Sequence, residues 1–335
     1  MSVIVGIETS CDETGIAVVQ DGVRVLANVV SSQIDTHRVF GGVVPEIASR
    51  MHTEIISHLM EQALTEAGLY PLNGGAPVDA VAATFGPGLM GSLLVGLSFG
   101  RALACAWNIP FLPIHHIEGH LFSAFLGEKA PSFPYLALVV SGGHTQIIQC
   151  DAPHRYQILA TTRDDAVGEC FDKVARLLGL PYPGGPSIQK AAETGDDRAF
   201  DFPRGLAGKD TLDFSYSGLK TAVLYMLRDK PGASVPDVAA SFQRAAVDAL
   251  MQKTALAIKQ SGIHRLVIAG GVAANKRLRE SAAQLDAALF LPPFVYCLDN
   301  GAMIAAAAHS RLRHGCSLPP DAPAAASLPL VALSS

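Results

Sequence analysis

The feature that most constrains the fold is a pattern that occurs twice along the chain. Each half has a short apolar run, a polar turn and a second apolar run, and later an apolar run that leads through glycines into a helix. Apolar runs bounded by turn residues predict buried strands, and their alternation with helices predicts α/β layers. The segments are 3–7, 8–14, 15–19, 78–84 and 86–107 in the first half, and 134–140, 141–145, 146–150, 265–269 and 270–275 in the second. We therefore expect two similar α/β lobes with a nucleotide-type cleft between them.

Further segments complete the predicted order. Residues 24–30 predict a third strand, and 45–67 predict a helix because apolar side chains recur there at helical spacing before Gly68. Residues 89–107 and 302–308 predict two more helices, both apolar. We predict an N-terminal lobe of residues 1–112, completed by about 300–325, and a C-terminal lobe of 113–299. The low-complexity tail, 317–335, is assigned no chemistry.

Composition excludes several classes of protein. With 49% hydrophobic and 16% charged residues and a mean hydropathy of +0.30, the 335-residue chain is not intrinsically disordered. A net charge of −5 excludes a general nucleic-acid coat, so any nucleic-acid contact is expected to be local. Six cysteines without CxxC pairs predict reduced thiols. The N-terminus has no basic signal region, and 93–107 is shorter than the roughly 20 apolar residues of a membrane helix, so we expect a cytoplasmic protein.

The segment HHIEGH, residues 115–120, follows a short predicted strand and is expected to begin a helix. His116 and His120 are four residues apart, so their imidazoles would lie on one helix face at a spacing that suits two ligands of one metal ion. Glu118 would point about 200° around the helix from His116. Zinc peptidases place the glutamate directly after the first histidine, so a peptidase is disfavoured. Histidines that only cap or pack a helix are the alternative.

A metal needs more than two ligands, and Asp299 is the best third candidate. It stands at a predicted strand-to-helix junction, just before the apolar helix. A carboxylate with two imidazoles leaves coordination positions open for a substrate. The alternative is that Asp299 is the N-cap of the following helix, a position that Asp and Asn both favour.

Three glycine-rich turns could bind an anion. Residues 141–145 join two predicted strands, and 86–88 and 270–271 each precede a predicted helix. Exposed backbone amides and helix N-termini attract phosphate, so the three together favour a phosphate-bearing ligand. The sequence has neither a P-loop motif nor a GxGxxG turn after a strand, which disfavours P-loop and Rossmann proteins.

Two groups of carboxylates remain. Asp165, Glu169 and Asp172 form an acidic stripe at helical spacing, which is either a solvated face or a place where Asp172 accepts hydrogen bonds from sugar hydroxyls. Glu8, Asp12 and Glu13 crowd one short loop. Such crowding is costly unless the carboxylates face water, a cation or a catalytic task.

Taken in order, eight segments resemble the TsaD (Gcp) family of tRNA N6-adenosine threonylcarbamoyltransferases over residues 3–312. The segments are GIETSCDET (6–14), GGVVPE (41–46), HHIEGH (115–120), SGGHT (141–145), FDK (171–173), YSGLKT (216–221), GGVAAN (270–275) and DNGAMIA (299–305). The resemblance implies a two-lobed actin/Hsp70-like (ASKHA) fold that binds threonylcarbamoyl-adenylate between the lobes. It also implies transfer of the threonylcarbamoyl group to N6 of the adenosine 3′ of the anticodon, in tRNAs that read codons beginning with A.

Residue roles follow from the resemblance by position. His116, His120 and Asp299 would bind one divalent metal, usually Fe²⁺ and sometimes Zn²⁺. Asp12 and Glu13 would be the acidic loop required for transfer, with Asp12 a candidate base. The residues expected to contact the adenylate are Val139, Val140, Ser141, Gly142, Gly143, Asp172, Gly185 and Asn275, with Ser187 or Gln189 nearby. Leu298 stands where the family usually has Thr.

The family also implies partners, and other functions stay open. Bacterial relatives work with an inactive paralogue, TsaB, on the N-terminal lobe, where residues 45–67 could form the contact, and with a P-loop ATPase, TsaE. The candidate tRNA contacts are Arg38, Arg50, Lys276, Arg277 and Arg279. The alternatives are an actin-like ATPase or small-molecule kinase, a nucleotide-binding scaffold without turnover, and the disfavoured metallopeptidase.

Overall fold

The computed structural model describes residues 1–71 and 74–331, and the chain forms two compact units. The first unit comprises Met1–Pro131, Ala152–Tyr156 and Pro292–Ser335, and the second comprises Ser132–Asp151 and Gln157–Leu291. The lobe boundaries at residues 112 and 299 stay predictions. Each unit contains one five-stranded sheet with helices, so the predicted α/β layers are present in both.

The sheet of the first unit has the strand order β3-β2-β1-β4-β5. The antiparallel strands β1, β2 and β3 are followed in the sheet by β4 and β5, which run parallel to β1. Valine, isoleucine and alanine dominate β1 and β4, as expected for central strands buried on both faces. The strands are β1 (Val3–Glu8), β2 (Glu13–Gln20), β3 (Arg24–Ser32), β4 (Ala80–Gly86) and β5 (Phe111–His115).

Helices cover both faces of this sheet. They are α1 (Ile34–Arg38), α2 (Pro45–Glu66), α3 (Met90–Trp107), α4 (His116–Ser123) and α10 (Gly301–His314, the last in the chain). On one face, Val5 and Ile7 share a core with α2 and α3, and on the other, Ile4 packs with α10. A Cβ on Gly6 would lie 2.1 Å from the carbonyl oxygen of Gly301, so glycine is required where α10 meets β1. This close approach fixes the start of α10, and with it Asp299.

The second unit has the strand order β10-β9-β6-β7-β8. Strand β6 is central and buried, antiparallel to β7 and parallel to β9. The strands are β6 (Tyr135–Val140), β7 (Thr145–Ala152), β8 (Arg155–Thr161), β9 (Arg265–Ala269) and β10 (Ala288–Phe290). The helices are α5 (Val167–Leu177), α6 (Gly184–Ala192), α7 (Ser217–Asp229), α8 (Val235–Ser261) and α9 (Lys276–Ala282).

The strands and helices predicted over the ranges given above are present, with ends shifted by a few residues. Two predictions were wrong: a 3₁₀ helix (Phe294–Tyr296), not a strand, precedes Asp299, and Asp165 lies before the start of α5 rather than on its acidic stripe. The six cysteines are free thiols, as predicted. Within the described residues, one helix, α3, is long and apolar enough by length and composition to cross a membrane, but soluble proteins contain core helices that meet the same test.

The tail has no helix or strand over its described residues, 317–331, yet it is held in place. The amide of Ala325 donates to the carbonyl oxygen of Phe85 at 2.9 Å, and the guanidinium of Arg101 donates to the carbonyl oxygens of Pro320 and Ala322. The tail is therefore part of the packing of the first unit.

Candidate metal centre and active site

Three predicted ligands meet in the first unit, at the carboxyl end of β5. His116 and His120 lie on α4, and Asp299 lies two residues before α10. The Nε2 atom of His120 is 3.3 Å from Oδ1 of Asp299, and that of His116 is 3.7 Å from the same oxygen. One ligand atom from each residue lies within 4.8 Å of the other two. Because α4 does begin at His116, the spacing argument for this pair is confirmed.

Glu8, at the end of β1, sets the orientation of His116. Its Oε2 lies 3.2 Å from Nδ1 of His116, while the Thr84 hydroxyl and the Ser10 amide donate to the same carboxylate. Burial opposes the charge of Glu8, but the charge and hydrogen bond of His116 outweigh it, so the pKa of Glu8 is lowered. A carboxylate on Nδ1 turns Nε2 toward Asp299, the arrangement by which proteins orient a metal-binding histidine.

The surroundings of His120 and Asp299 show whether these residues fit a metal ion. Both ring nitrogens of His120 are buried, and neither has a hydrogen-bond partner among the described residues. A buried ring nitrogen without a partner is costly, and a cation between His120 and Asp299 would satisfy the Nε2 atom. Asp299 is also not the N-cap of α10, because Asn300 accepts the hydrogen bond from the Met303 amide at 3.0 Å. The residues present therefore fit a metal ion.

Burial lowers the pKa of His116, but the carboxylates of Asp299 and Glu8 more than offset this and raise it to about 9. The two carboxylates thus place negative charge beside the imidazole of His116, and this charge favours the binding of a cation. Leu298 does not disturb the group, since its side chain is exposed and its carbonyl oxygen accepts a hydrogen bond from Asn300.

Glu118 points away from the three ligands, as predicted. Its carboxylate forms a buried ion pair with Arg311 of α10 and accepts hydrogen bonds from His154 at 2.8 Å and Tyr156 at 3.0 Å. Burial would raise its pKa, but Arg311 and His154 lower it to about 2. Glu118 therefore joins α4 to α10 and cannot act as the base of a zinc peptidase.

We expect Glu118→Gln to destabilise the protein by about 3–5 kcal/mol, because the substitution leaves the buried Arg311 without a counter-charge. Denaturant unfolding of the full chain measures the loss. The matched control is Glu169→Gln, which removes a partly exposed partner of Lys173 and should cost at most about 1 kcal/mol. Equal unfolding free energies for the two variants would show that the Glu118–Arg311 pair does not hold the helices together.

The acidic loop lies next to the candidate metal ligands. Asp12 is 7% exposed, and Glu13 begins β2. Burial, the charges of Asp299 and Asp12, and a hydrogen bond with Asp12 raise the pKa of Glu13 well above its usual value. Glu13 therefore interacts electrostatically with both Asp12 and Asp299.

The residues expected to contact the adenylate lie in the second unit, around the carboxyl ends of β6 and β9. The 141–144 turn is closed by hydrogen bonds between Ser141 and His144. A Cβ on Gly270 would meet the Val140 carbonyl oxygen at 2.4 Å, and one on Gly168, in the first turn of α5, would meet that of Ser141 at 2.6 Å. The glycine turns and the start of α5 are therefore in direct contact.

Asp172 of α5 holds the start of α6 beside these glycine turns. Its Oδ1 accepts a hydrogen bond of 2.6 Å from the Gly184 amide, while a Cβ on Gly185 would meet open space. Carboxyl ends of parallel strands together with helix N-termini are the usual place for phosphate-bearing ligands in α/β units. The grouping suits an adenylate, and the roles of these residues stay predictions.

Several candidates have structural partners. Asp165 and Glu169 both form ion pairs with Lys173. These pairings favour the alternative in which the acidic stripe is a solvated face. Asn275 caps α9 through the Leu278 amide and donates to Gln243. Other pairings are Ser187 with the Gly184 carbonyl, Gln189 with the Lys276 amide, Arg277 with Asp197, Arg279 with the Ala273 carbonyl and Arg38 with Asp35. Among the basic candidates, Arg38, Arg50 and Lys276 are exposed.

The comparisons with known proteins decide the family. The model of the family "TsaD: tRNA N6-adenosine threonylcarbamoyltransferase" matches residues 24–306. The chain belongs to the TsaD family. A protein of this description from Trichlorobacter lovleyi is 52% identical, over 94% of this chain and 93% of that protein. One from Kosmotoga olearia is 48% identical, over 98% and 99%. The resemblance drawn from the eight segments is confirmed, and this TsaD-family chain is an acyltransferase.

Solved structures at lower identity share the fold. Component A of the (R)-2-hydroxyglutaryl-CoA dehydratase of Acidaminococcus fermentans matches with a TM-score of 0.57 at 13% identity, over 94% of this chain and all (100%) of that one. HypF of T. kodakarensis matches with a TM-score of 0.62 at 14% identity, over 93% of this chain and 48% of that one. These proteins have the actin/Hsp70-like (ASKHA) fold, so the predicted fold class of this TsaD-family chain is confirmed.

Proposed function

We propose that this chain transfers the threonylcarbamoyl group from threonylcarbamoyl-adenylate to N6 of the adenosine 3′ of the anticodon (the t6A modification), releasing AMP. The single observation that supports this most is the meeting of His116, His120 and Asp299 beside the acidic loop, in a chain of this family. We propose a cytoplasmic location, where tRNA substrates are found.

In the reaction, the N6 amine forms a bond to the carbamoyl carbon, the bond from that carbon to the phosphate oxygen breaks, and AMP leaves. Asp12 receives the proton that N6 loses, because it is a carboxylate of the acidic loop, whose Glu13 interacts electrostatically with Asp299. The turn at Ser141–Gly143 and the helix starts beside Asp172 and Gly185 orient the adenylate, with Val139, Val140 and Asn275 completing the surroundings.

His116, His120 and Asp299 would hold the divalent cation, which we propose is Fe²⁺, with Zn²⁺ as the alternative. When bound, such a cation polarises the carbamoyl-phosphate anhydride and offsets charge on the departing phosphate. Glu8 would keep the Nε2 atom of His116 directed toward Asp299, where the cation would be held.

The test is transfer by the purified chain, supplied with synthetic threonylcarbamoyl-adenylate and an unmodified tRNA. We expect AMP and modified adenosine in equal amounts, and no product from a tRNA in which that adenosine is replaced by guanosine. Steady ATP turnover without tRNA, and no modified nucleoside, would instead support an actin-like ATPase or kinase.

We propose that TsaB docks on α2 and α3, and that TsaE is a second partner. A groove between these helices is lined by the apolar side chains of Ile56, Leu94, Val95 and Phe99, and Leu94 is 48% exposed. An exposed apolar groove between two helices suits another helical surface.

Leu94→Asp places a charge in this groove, and we expect it to weaken TsaB binding at least about 30-fold, the effect of losing one interface hot spot. Isothermal titration of TsaB into the chain measures this. The matched control is Leu224→Asp, at an equally exposed leucine on α7 of the second unit. Unchanged affinity for the Leu94 variant would place the interface elsewhere.

A further inference from the structure

The segment GGVVPE (41–46) has no role in the reaction described above, yet a row of buried polar groups joins it to the acidic loop. We call this row the buried chain. It comprises the Val44 amide and the side chains of His37, Gln33, His52 and Thr14, and each of these four side chains belongs to a residue at most 2% exposed. Buried polar groups are retained at a cost, so a complete row of them calls for an explanation.

The hydrogen bonds of the buried chain are donated in sequence from Val44 toward His52. The Val44 amide donates to Nδ1 of His37 at 3.3 Å, and Nε2 of His37 donates to Oε1 of Gln33 at 3.1 Å. The amide nitrogen of Gln33 donates to Nδ1 of His52 at 3.4 Å and to the Ala48 carbonyl at 3.3 Å. The hydroxyl of Thr14 donates to the same Nδ1 at 2.7 Å. Each donor thus has an acceptor.

The far end of the chain holds the backbone of the acidic loop. Nε2 of His52 donates to the carbonyl oxygen of Cys11 at 3.0 Å, and the backbone amide of Gln33 donates to that of Asp12 at 3.1 Å. The carbonyl groups of the two peptide units on either side of the Asp12 Cα are thereby fixed. With both peptide units held, the backbone at Asp12 has little freedom to turn, so the direction of its Cα–Cβ bond is set.

Acceptance of hydrogen bonds at Nδ1 requires His52 to be neutral, with its proton on Nε2. Burial lowers the pKa of His52 although the hydrogen bond that the ring donates to the Cys11 carbonyl opposes this, and the lowered pKa keeps the ring neutral. At the other end, Gly41 has a φ of +67°, a left-handed conformation that lets the 38–44 turn fold back so that Val44 reaches His37.

We infer that the GGVVPE segment and His52 are positioning elements for transfer, and that they act through Asp12 by holding the carbonyl groups of Cys11 and Asp12. This rests on the proposed function, in which Asp12 receives the N6 proton. Small misplacements of a reacting group reduce rates strongly, so His52 should matter for kcat although it lies outside the metal group.

The test compares kcat and KM of the full chain with variants at His52, using tRNA and synthetic threonylcarbamoyl-adenylate. We expect His52→Leu to lower kcat about 10- to 100-fold with KM for both substrates unchanged. His52→Gln keeps an amide that can donate to Cys11 and should recover most of the rate. His264→Leu, the same change at an exposed position of the second unit, should leave kcat unchanged.

The deciding step repeats His52→Leu in an Asp12→Asn background. If His52 acts through Asp12, the second substitution lowers kcat no further, and an undiminished loss would overturn the inference. Should His52→Leu fail to fold, Gln33→Met breaks the same chain while keeping the backbone bond to Asp12. A wild-type chain without transfer would count against the proposed function instead, because the inference concerns only differences between variants.

Discussion

His116→Ala should abolish both metal binding and threonylcarbamoyl transfer. The substitution removes one of two imidazoles that face Asp299, and a catalytic cation contributes several kcal/mol to the transition state. We therefore expect transfer to fall by about 10³-fold or more. Metal content by mass spectrometry and the single-turnover rate with synthetic adenylate measure the two effects on the same sample.

The control for His116→Ala is His264→Ala, at an exposed histidine of the second unit. It should keep both the metal and the rate. A His116 variant that binds metal at the wild-type ratio, or one that loses metal yet transfers at the wild-type rate, would contradict the proposed metal centre.

Asp12→Asn should lower the rate of transfer about 10²- to 10⁴-fold, the range for loss of a general base, while adenylate binding stays within about twofold. The asparagine has nearly the same shape but cannot accept the N6 proton. Equilibrium binding of a non-reactive adenylate analogue and the single-turnover rate separate the two steps.

Glu61→Gln provides the matched change for Asp12→Asn, since this exposed carboxylate lies on α2 outside the site. It should affect neither adenylate binding nor rate. If Asp12→Asn weakens adenylate binding as much as it slows transfer, Asp12 organises the site and does not act as the base.

Local sequence was enough to predict that His116 and His120 share one helix face and that Glu118 points away from them. Both depend only on spacing along one helix, and α4 begins at His116 as expected. Local sequence left Asp299 open, because Asp and Asn both cap helices well. The structure separates the roles, since Asn300 caps α10 and Asp299 is left to face the histidines.

Other contacts could not be predicted, because they depend on the order of strands in the sheet. Glu8 ends β1 and His116 follows β5, so their hydrogen bond exists only because β4 brings both strands into one parallel set. The sequence showed Glu8 only as one of three crowded carboxylates. The Glu118–Arg311 pair likewise needs α10 to pack against α4, across nearly two hundred residues of chain.

The same limit applies to the buried chain. Gln33, at the N-cap of α1, and His37 are four residues apart, whereas His52 lies on α2, and no local pattern indicates that they reach the acidic loop. The sequence signal that could have indicated the buried chain is the presence of three polar residues at positions that face an apolar core.

The most direct test of the central claim is mass spectrometry of tRNA nucleosides from cells depleted of this protein. We predict that threonylcarbamoyl-adenosine falls on depletion, returns with the wild-type chain, and does not return with His116→Ala produced at the same level. An unchanged amount of threonylcarbamoyl-adenosine after depletion, in cells without a second copy of the enzyme, would contradict the account.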